Sequence, residues 1–314
     1  MNAIEVRSLA KTYGSVHALN GLDLDVTQGS VLGFLGPNGA GKTTTLRILA
    51  GLAKPTSGSI TIAGAEVVNA APPPSSLIGY LPEEPAFYPW MTPPEYLRYT
   101  AAIFGMRRAQ ADETAEKLLA LTGLAEVKKR RIGGFSRGMR QRLGIAQALV
   151  NDPQILLLDE PVSALDPAGR KEVLELIESL AQRCTVVMSS HILADVERVC
   201  DTVAIIDHGQ RLIEDRKEVL MERYASNALV LEIDPRYGRS VDDWKKVIFD
   251  LKSVQKVYAE GDTLHILAGD TAAVQQAILA ALVKEKSPIL RFEQVRPSLE
   301  DVFMKLVNHK EAEE

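Results

Sequence analysis

The segment GPNGAGKT at residues 36–43 constrains the fold of this chain more than any other feature. It fits the pattern G-x-x-x-x-G-K-[ST] and lies between an apolar run at 31–35 and a helical pattern that starts at Thr44. Glycines let successive backbone N–H groups converge on phosphate oxygens, and the N-terminus of the next helix adds partial positive charge. The pattern predicts that Lys42 reaches the β- and γ-phosphates of a nucleotide and that the Thr43 hydroxyl binds Mg²⁺. The predicted phosphate-binding residues are Gly36, Pro37, Asn38, Gly39, Ala40, Gly41, Lys42, Thr43 and Thr44.

Two acidic residues follow a second apolar run. Residues 155–158 are ILLL, and Asp159 and Glu160 come directly after them. An acidic pair at the end of a buried strand is costly unless a cation or a polar ligand meets it. Together with the phosphate-binding segment, this pair predicts that Asp159 faces Mg²⁺ and that Glu160 orients an attacking water.

Three continuous apolar runs, at 31–35, 155–158 and 185–188, indicate strands that are covered on both faces. Such strands are typical of a mostly parallel sheet flanked by helices, which is an α/β domain. The segment LDLDV at 22–26 alternates strictly and predicts an antiparallel β element beside that sheet. Between about 92 and 150 the apolar residues recur at helical spacing, which predicts a helical insertion.

Prolines are dense just before that insertion. Proline removes a backbone donor and disfavours helix interiors, so we expect residues 71–94 to form a structured loop or hinge. The prolines in this segment are Pro72, Pro73, Pro74, Pro82, Pro85, Pro89, Pro93 and Pro94.

The pattern changes beyond residue 225. Strands near 228–233, 254–259, 263–267 and 289–295 and helices near 241–251 and 271–285 are predicted. Their order, βαββαβ, is that of a ferredoxin-like domain. A short helix is expected at 298–307. We therefore predict two domains, at residues 1–220 and 225–314.

The composition is that of a globular protein, with 46% hydrophobic and 25% charged residues, and it excludes disorder and collagen. Every apolar stretch is shorter than the ~20 residues of a membrane span, and the start of the chain has no apolar core of a signal peptide. The net charge of −5 argues against a nucleic-acid partner, which requires a basic face. The two cysteines, Cys184 and Cys200, are predicted to be small buried side chains.

The segment FSRGMRQR at 135–142 lies between the phosphate-binding motif and the acidic pair, just before a helical pattern. Together these motifs resemble the ATP-binding-cassette (ABC) family of transporter ATPases, whose signature L-S-G-G-Q falls at this place. The resemblance covers about residues 2–215. In addition, PSLEDVF at 297–303 resembles the ending S-L-E-[DE]-x-F of the drug-resistance and ion-export branch. The resemblance to the ABC family implies a P-loop NTPase (RecA-like) core with an antiparallel β subdomain and a helical insertion, followed by a small α+β ferredoxin-like domain.

The resemblance also implies roles for single residues. Tyr13 matches the aromatic residue that stacks on adenine, and His191 matches the switch histidine that contacts the γ-phosphate. Residues 163–166, SALD, match the D-loop, which communicates across a dimer. Ser136 and Gly138 match signature positions that contact the nucleotide held by the other copy.

Three positions depart from the family pattern. Arg137 and Met139 stand where the signature has glycine and glutamine. Glu83 stands at the Q-loop glutamine, with Glu84 as the alternative position. A carboxylate can hold Mg²⁺ or a water through oxygen, but it cannot donate a hydrogen bond as an amide does. The surrounding prolines fit a hinge that moves the helical insertion when nucleotide binds.

The function that the resemblance implies is that of an ATPase subunit of an exporter. Lys42, Glu160 and His191 would be catalytic, and Mg²⁺ would bind Thr43, Asp159 and Glu83. Two copies, or a copy and a paralogue, would bind two ATP molecules head to tail and drive a separate membrane permease. We expect no nucleic-acid partner and a cytoplasmic location, peripheral on the inner face of the cell membrane.

Two other interpretations stay open on the sequence. The alternative is a soluble ABC ATPase that acts on ribosomes or DNA, although such relatives carry two cassettes or a long coiled coil, and neither is present here. The third interpretation is a nucleotide-gated regulatory module, which would require that Glu160 does not support hydrolysis.

Overall fold

The computed structural model describes residues 1–67, 76–223, 227–234, 239–285, 287–295, 299–300 and 302–303. They belong to two compact units, which divide between Lys217 and Glu218. The elements of the first unit are β1 (Asn2–Tyr13), β2 (Val16–Thr27), β3 (Val31–Leu35), α1 (Lys42–Leu49), β4 (Ser57–Ile62), β5 (Ala65–Glu66), β6 (Ile78–Leu81), α2 (Pro93–Ile103), α3 (Arg108–Leu121), α4 (Arg137–Ala148), β7 (Ile155–Leu158), α5 (Pro167–Leu180), β8 (Thr185–Ser190), α6 (Leu193–Val199), β9 (Thr202–Asp207) and β10 (Gln210–Arg216).

The main sheet of the first unit has six strands in the order β10-β9-β3-β8-β7-β6. All neighbouring pairs from β9 to β6 are parallel, and only the edge strand β10 is antiparallel. Each residue of β3, β7 and β8 is buried, as expected for strands covered on both faces. The predicted α/β core with a mostly parallel sheet is confirmed.

A second sheet lies beside the first, in the order β2-β1-β4-β5, and all its pairs are antiparallel. Its apolar side chains share one core with the main sheet and α1, in which Ile4, Leu22, Phe34 and Leu46 are fully buried. The predicted antiparallel β element is therefore confirmed, and it packs close to the segment that follows β3.

The helical insertion is confirmed as well. Helices α2, α3 and α4 pack around a core of their own that contains Leu97, Leu119 and Leu143. Within the described residues from 92 to 150, two short 3₁₀ turns accompany the helices and no strand occurs.

The prediction that residues 71–94 form a loop throughout was wrong in two places. Residues Ile78–Leu81 contain no proline and form β6, which pairs with β7. Pro93 and Pro94 begin α2, since the first turn of a helix needs no backbone donor from them. Pro82, Pro85 and Pro89 do lie in the connecting segment, whereas Pro72, Pro73 and Pro74 lie outside the described residues.

The second unit has a smaller sheet with helices. Its elements are β11 (Asn227–Ile233), α8 (Val241–Phe249), β12 (Val254–Glu260), β13 (Thr263–Ala268), α9 (Thr271–Glu285) and β14 (Ile289–Val295), and α7 (Lys217–Arg223) spans the division. The sheet is antiparallel in the order β12-β13-β11-β14, and it buries Trp244 of α8 completely. This is the predicted ferredoxin-like order of elements. Most of the helix predicted at 298–307 lies outside the described residues.

Both cysteines are free and buried, as predicted. Burial raises the pKa of the Cys184 thiol to about 11 and raises that of Cys200 as well. Among the helices that the structure describes, none has the length and apolarity that a bilayer span requires.

Gly79 of β6 provides a test of how the helical insertion is held against the sheet. A Cβ at this position would lie 2.2 Å from the carbonyl oxygen of Ala148, at the end of α4. Because that atom belongs to the backbone, Gly79→Ala must displace α4 from β6, and we expect a loss of about 1–3 kcal/mol in the free energy of unfolding. Chemical denaturation measures it.

The matched control is Gly138→Ala in the first turn of α4, where the nearest atom to a Cβ is 3.8 Å away. Its midpoint of unfolding should stay close to the wild-type value. Equal midpoints for the two variants would contradict the proposed contact between β6 and α4.

Candidate functional site

Three segments of the chain meet at one edge of the main sheet. Strands β3, β8 and β7 are neighbours and run parallel, so the residues that follow them lie side by side. The phosphate-binding segment follows β3, Asp159 and Glu160 follow β7, and His191 follows β8. Residues that are far apart in the sequence thus come together at the carboxyl ends of the strands, where open parallel sheets bind ligands.

The segment between β3 and α1 is a tight loop. Gly41 caps α1 in a left-handed conformation with φ of 107°, and a Cβ on it would lie 2.7 Å from the carbonyl oxygen of Ala18. Only glycine fits both conditions without strain. The Lys42 ammonium folds back over the loop and donates to the carbonyl oxygens of Gly36 at 2.7 Å and Pro37 at 3.2 Å.

A cavity of about 480 Å³ opens above this loop, within the size range of small-molecule sites. Most of the predicted site residues line it. Its lining residues are Tyr13, Val16, His17, Ala18, Pro37, Asn38, Gly39, Gly41, Lys42, Thr43, Thr44, Glu83, Glu160, Ser163 and His191. The predicted residues Gly36, Ala40 and Asp159 are buried beneath it.

Glu160 contacts both of the other predicted catalytic residues. Its Oε1 lies 3.4 Å from the Lys42 ammonium, and its Oε2 lies 2.8 Å from Nδ1 of His191. The side chains of Lys42 and Glu160 are almost fully buried, whereas that of His191 is 43% exposed. A cation, a carboxylate and an imidazole therefore form one chain of contacts along the cavity.

The backbone at Glu160 is unusual. Its φ is 46°, a left-handed conformation that costs a residue with a Cβ about 1–2 kcal/mol. The amide of Glu160 donates to the hydroxyl of Ser189 at 2.9 Å, and this bond holds the turn. With this backbone conformation, the carboxylate of Glu160 contacts both Lys42 and His191. Backbone strain of this kind is typical of functional sites.

Asp159 lies under the loop and is 1% exposed. Its Oδ1 accepts hydrogen bonds from the Thr43 hydroxyl at 3.0 Å and from the Ser189 hydroxyl at 2.7 Å. A carboxylate and an adjacent hydroxyl are the oxygen donors that Mg²⁺ prefers, together with phosphate and water. Within the described ranges no three His, Cys, Asp or Glu side chains form a metal cage.

Ser189 was not among the predicted site residues, although it connects Asp159 and Glu160. The sequence does carry a signal for it, because a hydroxyl at the end of the apolar strand β8 is buried and requires partners. His17 and Val16 were also not predicted. They begin β2 and lie beside Tyr13, at the rim of the cavity.

Tyr13 ends β1 and is half exposed. The ammonium of Lys11 lies 4.5 Å from the centre of its ring. Because half of Tyr13 is exposed and the residue lines the cavity, its ring offers a face on which a planar group can stack.

The two predicted signature residues do not line this cavity. Ser136 is exposed and caps α4, where its hydroxyl accepts the Met139 amide at 3.2 Å. Gly138 is in the first turn of the same helix, beside Gly169 of α5. Arg137 is exposed and lines a separate cleft of about 220 Å³ that Glu83 and Glu84 also line. One copy of the chain thus holds the two parts of the predicted nucleotide site apart.

Comparison with known families identifies both units. The family described as "ABC transporter" matches residues 19–163, and "ATP-binding protein DrrA1-3-like, C-terminal domain" matches residues 217–307.

Curated relatives match over nearly their whole length. The chain is 38% identical to the uncharacterized ABC transporter ATP-binding protein YxlF of Bacillus subtilis, over 97% of this chain and 99% of the relative. It is also 38% identical to the bacitracin transport ATP-binding protein BcrA of Bacillus licheniformis, over 97% of both chains. The Nod factor export ATP-binding protein I of Cupriavidus pinatubonensis is 33% identical over 98% of this chain and 91% of its own.

Solved structures match about 70% of the chain. The cbiO1 protein of Clostridium perfringens, part of the ABC transporter complex cbiONQ, is 26% identical with a TM-score of 0.63 over 71% of this chain and 92% of that one. A dimeric ATP-binding cassette in a post-hydrolysis state, bound to ADP and Pi, is 26% identical with a TM-score of 0.61 over 68% of this chain and 98% of that one. These similarities favour the exporter interpretation over a ribosome- or DNA-associated ATPase. The chain belongs to the ABC transporter family, as an ATP-binding and ATP-hydrolysing subunit of the drug-resistance and export branch.

Proposed function

We propose that this chain hydrolyses ATP in a head-to-tail dimer and thereby drives export through a separate membrane permease, at the inner face of the cell membrane. The contact chain of Lys42, Glu160 and His191 inside one cavity is the observation that carries the proposal. Residues 1–220 would be the nucleotide-binding domain, and residues 225–314 would be an accessory domain.

Nucleotide binding exchanges the partners of Lys42. In the structure its ammonium is held by two carbonyl oxygens of its own loop and by the carboxylate of Glu160. The β- and γ-phosphates of ATP would offer it stronger charge-assisted bonds. The loop amides would hold the other phosphate oxygens, and Tyr13 would stack on adenine at the mouth of the cavity.

Hydrolysis then depends on Glu160. Once Lys42 turns to the phosphates, the carboxylate is free to accept a hydrogen bond from the attacking water, while His191 reaches the γ-phosphate. Thr43 and Asp159 would hold Mg²⁺, with Glu83 in the same cavity, and this ion would offset the charge that develops on the phosphates.

A second copy would complete each site. Ser136 and Gly138 lie outside the cavity of their own chain, at the exposed N-terminus of the twelve-residue helix α4. The hydroxyl of Ser136 accepts one hydrogen bond and keeps its own proton for a donor role, and the helix end favours a negative charge. The nucleotide bound by the partner copy fits this chemistry.

An exposed aromatic surface is the proposed contact with the permease. Tyr88 and Trp90 lie between β6 and α2, and Tyr99 is on α2. The ring of Tyr88 is 5.1 Å from that of Trp90 and 5.8 Å from that of Tyr99, and Trp90 is 61% exposed. Clustered exposed aromatics are typical of protein interfaces, and this cluster continues the segment that carries Glu83.

The role of Glu160 is tested by Glu160→Gln. The amide keeps the shape of the side chain but cannot act as a base, so we expect ATP hydrolysis to fall by about 100-fold or more while ATP binding persists. Phosphate release and equilibrium nucleotide binding measure the two effects. Glu178→Gln, an exposed position of α5, is the control and should hydrolyse ATP as the wild type does. Undiminished hydrolysis by Glu160→Gln would favour another base.

The role of Ser189 is tested by Ser189→Ala. The change removes one donor to Asp159 and the acceptor of the Glu160 amide, so we expect turnover to fall about tenfold and stability to fall by about 1 kcal/mol. Ser179→Ala removes a hydrogen bond to the Leu176 carbonyl in α5 and serves as the control. If both variants keep wild-type turnover, the hydroxyl of Ser189 does not organise the site.

The permease contact is tested by Trp90→Ala. An aromatic anchor at an interface typically contributes about 2 kcal/mol to binding. We therefore expect this variant to co-purify less permease than the wild type from detergent-solubilised native membranes. Its own ATP hydrolysis should not change. The control is Leu52→Ala, which alters an equally exposed apolar side chain elsewhere on the unit. Recovery of the same multispan protein with both variants would contradict this surface.

A further inference from the structure

An ion pair with one buried partner lies behind the candidate site. Arg170 is in the first turn of α5, and Asp195 is in the first turn of α6. Nε of Arg170 lies 2.6 Å from Oδ1 of Asp195, whose side chain is only 2% exposed. The pair therefore ties together the two helices that follow β7 and β8.

Both partners are anchored to loops that carry proposed catalytic residues. The loop after β7 runs from Glu160 to the α5 cap Asp166, and the amide of Arg170 donates to the carbonyl oxygen of Asp166 at 2.9 Å. The loop after β8 carries His191, and Asp195 follows within four residues. Two non-covalent contacts, Glu160–His191 and Arg170–Asp195, thus join the chain segments 160–170 and 191–195.

These two contacts lie at opposite ends of the segments. At the cavity, Oε2 of Glu160 contacts Nδ1 of His191 at 2.8 Å. At the rear, Arg170 holds Asp195. The rear contact is somewhat more buried, because Arg170 and Asp195 are 33% and 2% exposed, whereas His191 and Glu160 are 43% and 9% exposed.

The pair is a poor arrangement for stability alone. Burial raises the pKa of Asp195, although Arg170 opposes this effect. The second carboxylate oxygen, Oδ2, is buried and has no hydrogen-bond partner among the described residues. Incompletely satisfied buried charges are weak contributors to stability, so a geometric role explains this pair better.

We propose that Arg170 and Asp195 are positioning residues for ATP hydrolysis, which fix the segment carrying Glu160 against the segment carrying His191. The inference rests on the proposed function of the site. Glu160 sits in a strained left-handed turn, and a single hydrogen bond joins it to a half-exposed histidine. Without the rear contact, the two loops would be free to separate by the fraction of an ångström that matters for in-line attack on the γ-phosphate.

Three variants of the full chain test this role: Asp195→Asn, Arg170→Met and the double variant. Arg170→Met leaves the carboxylate of Asp195 buried without its partner, Asp195→Asn leaves the half-buried guanidinium of Arg170 without its partner, and each change loosens the two loops. We expect kcat to fall about tenfold while the KM for ATP stays within about twofold, because nucleotide binding uses other residues. The double variant should recover the thermal midpoint, since no unpaired charge remains, but it should not recover kcat.

A matched control exists on the same two helices. Arg198 of α6 and Glu175 of α5 form an exposed ion pair at 3.4 Å, away from the loops. The variant Arg198→Met should change neither kcat nor KM, because exposed pairs contribute little.

The outcomes separate the two levels of the proposal. Recovery of wild-type kcat by the double variant would show that the pair is merely structural, and unchanged kcat in the single variants would contradict the assignment directly. A loss confined to KM would also contradict it. Absence of ATP hydrolysis by the wild-type chain, by contrast, would overturn the proposed function itself.

Discussion

The parallel pairing of β3, β8 and β7 is the constraint on which the site depends. The register places Leu35 beside Ser190 and Leu158 beside Met188, so β3 and β8 end together and β7 ends two residues earlier, at the same edge of the sheet. The loop at 36–43, the acidic pair and His191 then meet, although long stretches of sequence separate them. The helical insertion is accommodated because it enters between β6 and β7 and leaves the ends of the three central strands in place.

The same edge of the sheet buries an unusual amount of charge. Asp159, Glu160 and Lys42 are each less than 10% exposed, which would be costly in an apolar environment. Hydrogen bonds to hydroxyl groups and loop carbonyls offset part of this desolvation cost. The ion pair between Lys42 and Glu160 offsets another part. Because these groups contact one another, binding of a triphosphate at this loop would exchange existing partners of Lys42.

Much of this arrangement could be predicted from the sequence. Glycine spacing and the apolar run before it define the loop at 36–43, and the fully apolar strands define the parallel sheet. Local patterns could not give β6, because four residues between prolines are too short to show a period of two. Nor could they give the roles of Ser189 and the Arg170–Asp195 pair. These residues act through partners that are distant in sequence, and a serine, an arginine or an aspartate in a helix or strand has many ordinary uses.

Ser136 lies outside the cavity that contains Lys42, and in the proposed dimer each copy would offer one half of a nucleotide site to the other. The buried thiols of Cys184 and Cys200 make this association accessible to experiment. The chain has only these two cysteines, and both are shielded, with the pKa of Cys184 near 11. A single cysteine introduced on the surface of α4 would therefore carry a spin label or fluorophore at one defined position, without prior removal of the native sulfhydryls, and the distance between two such probes would follow the approach of one copy to the other.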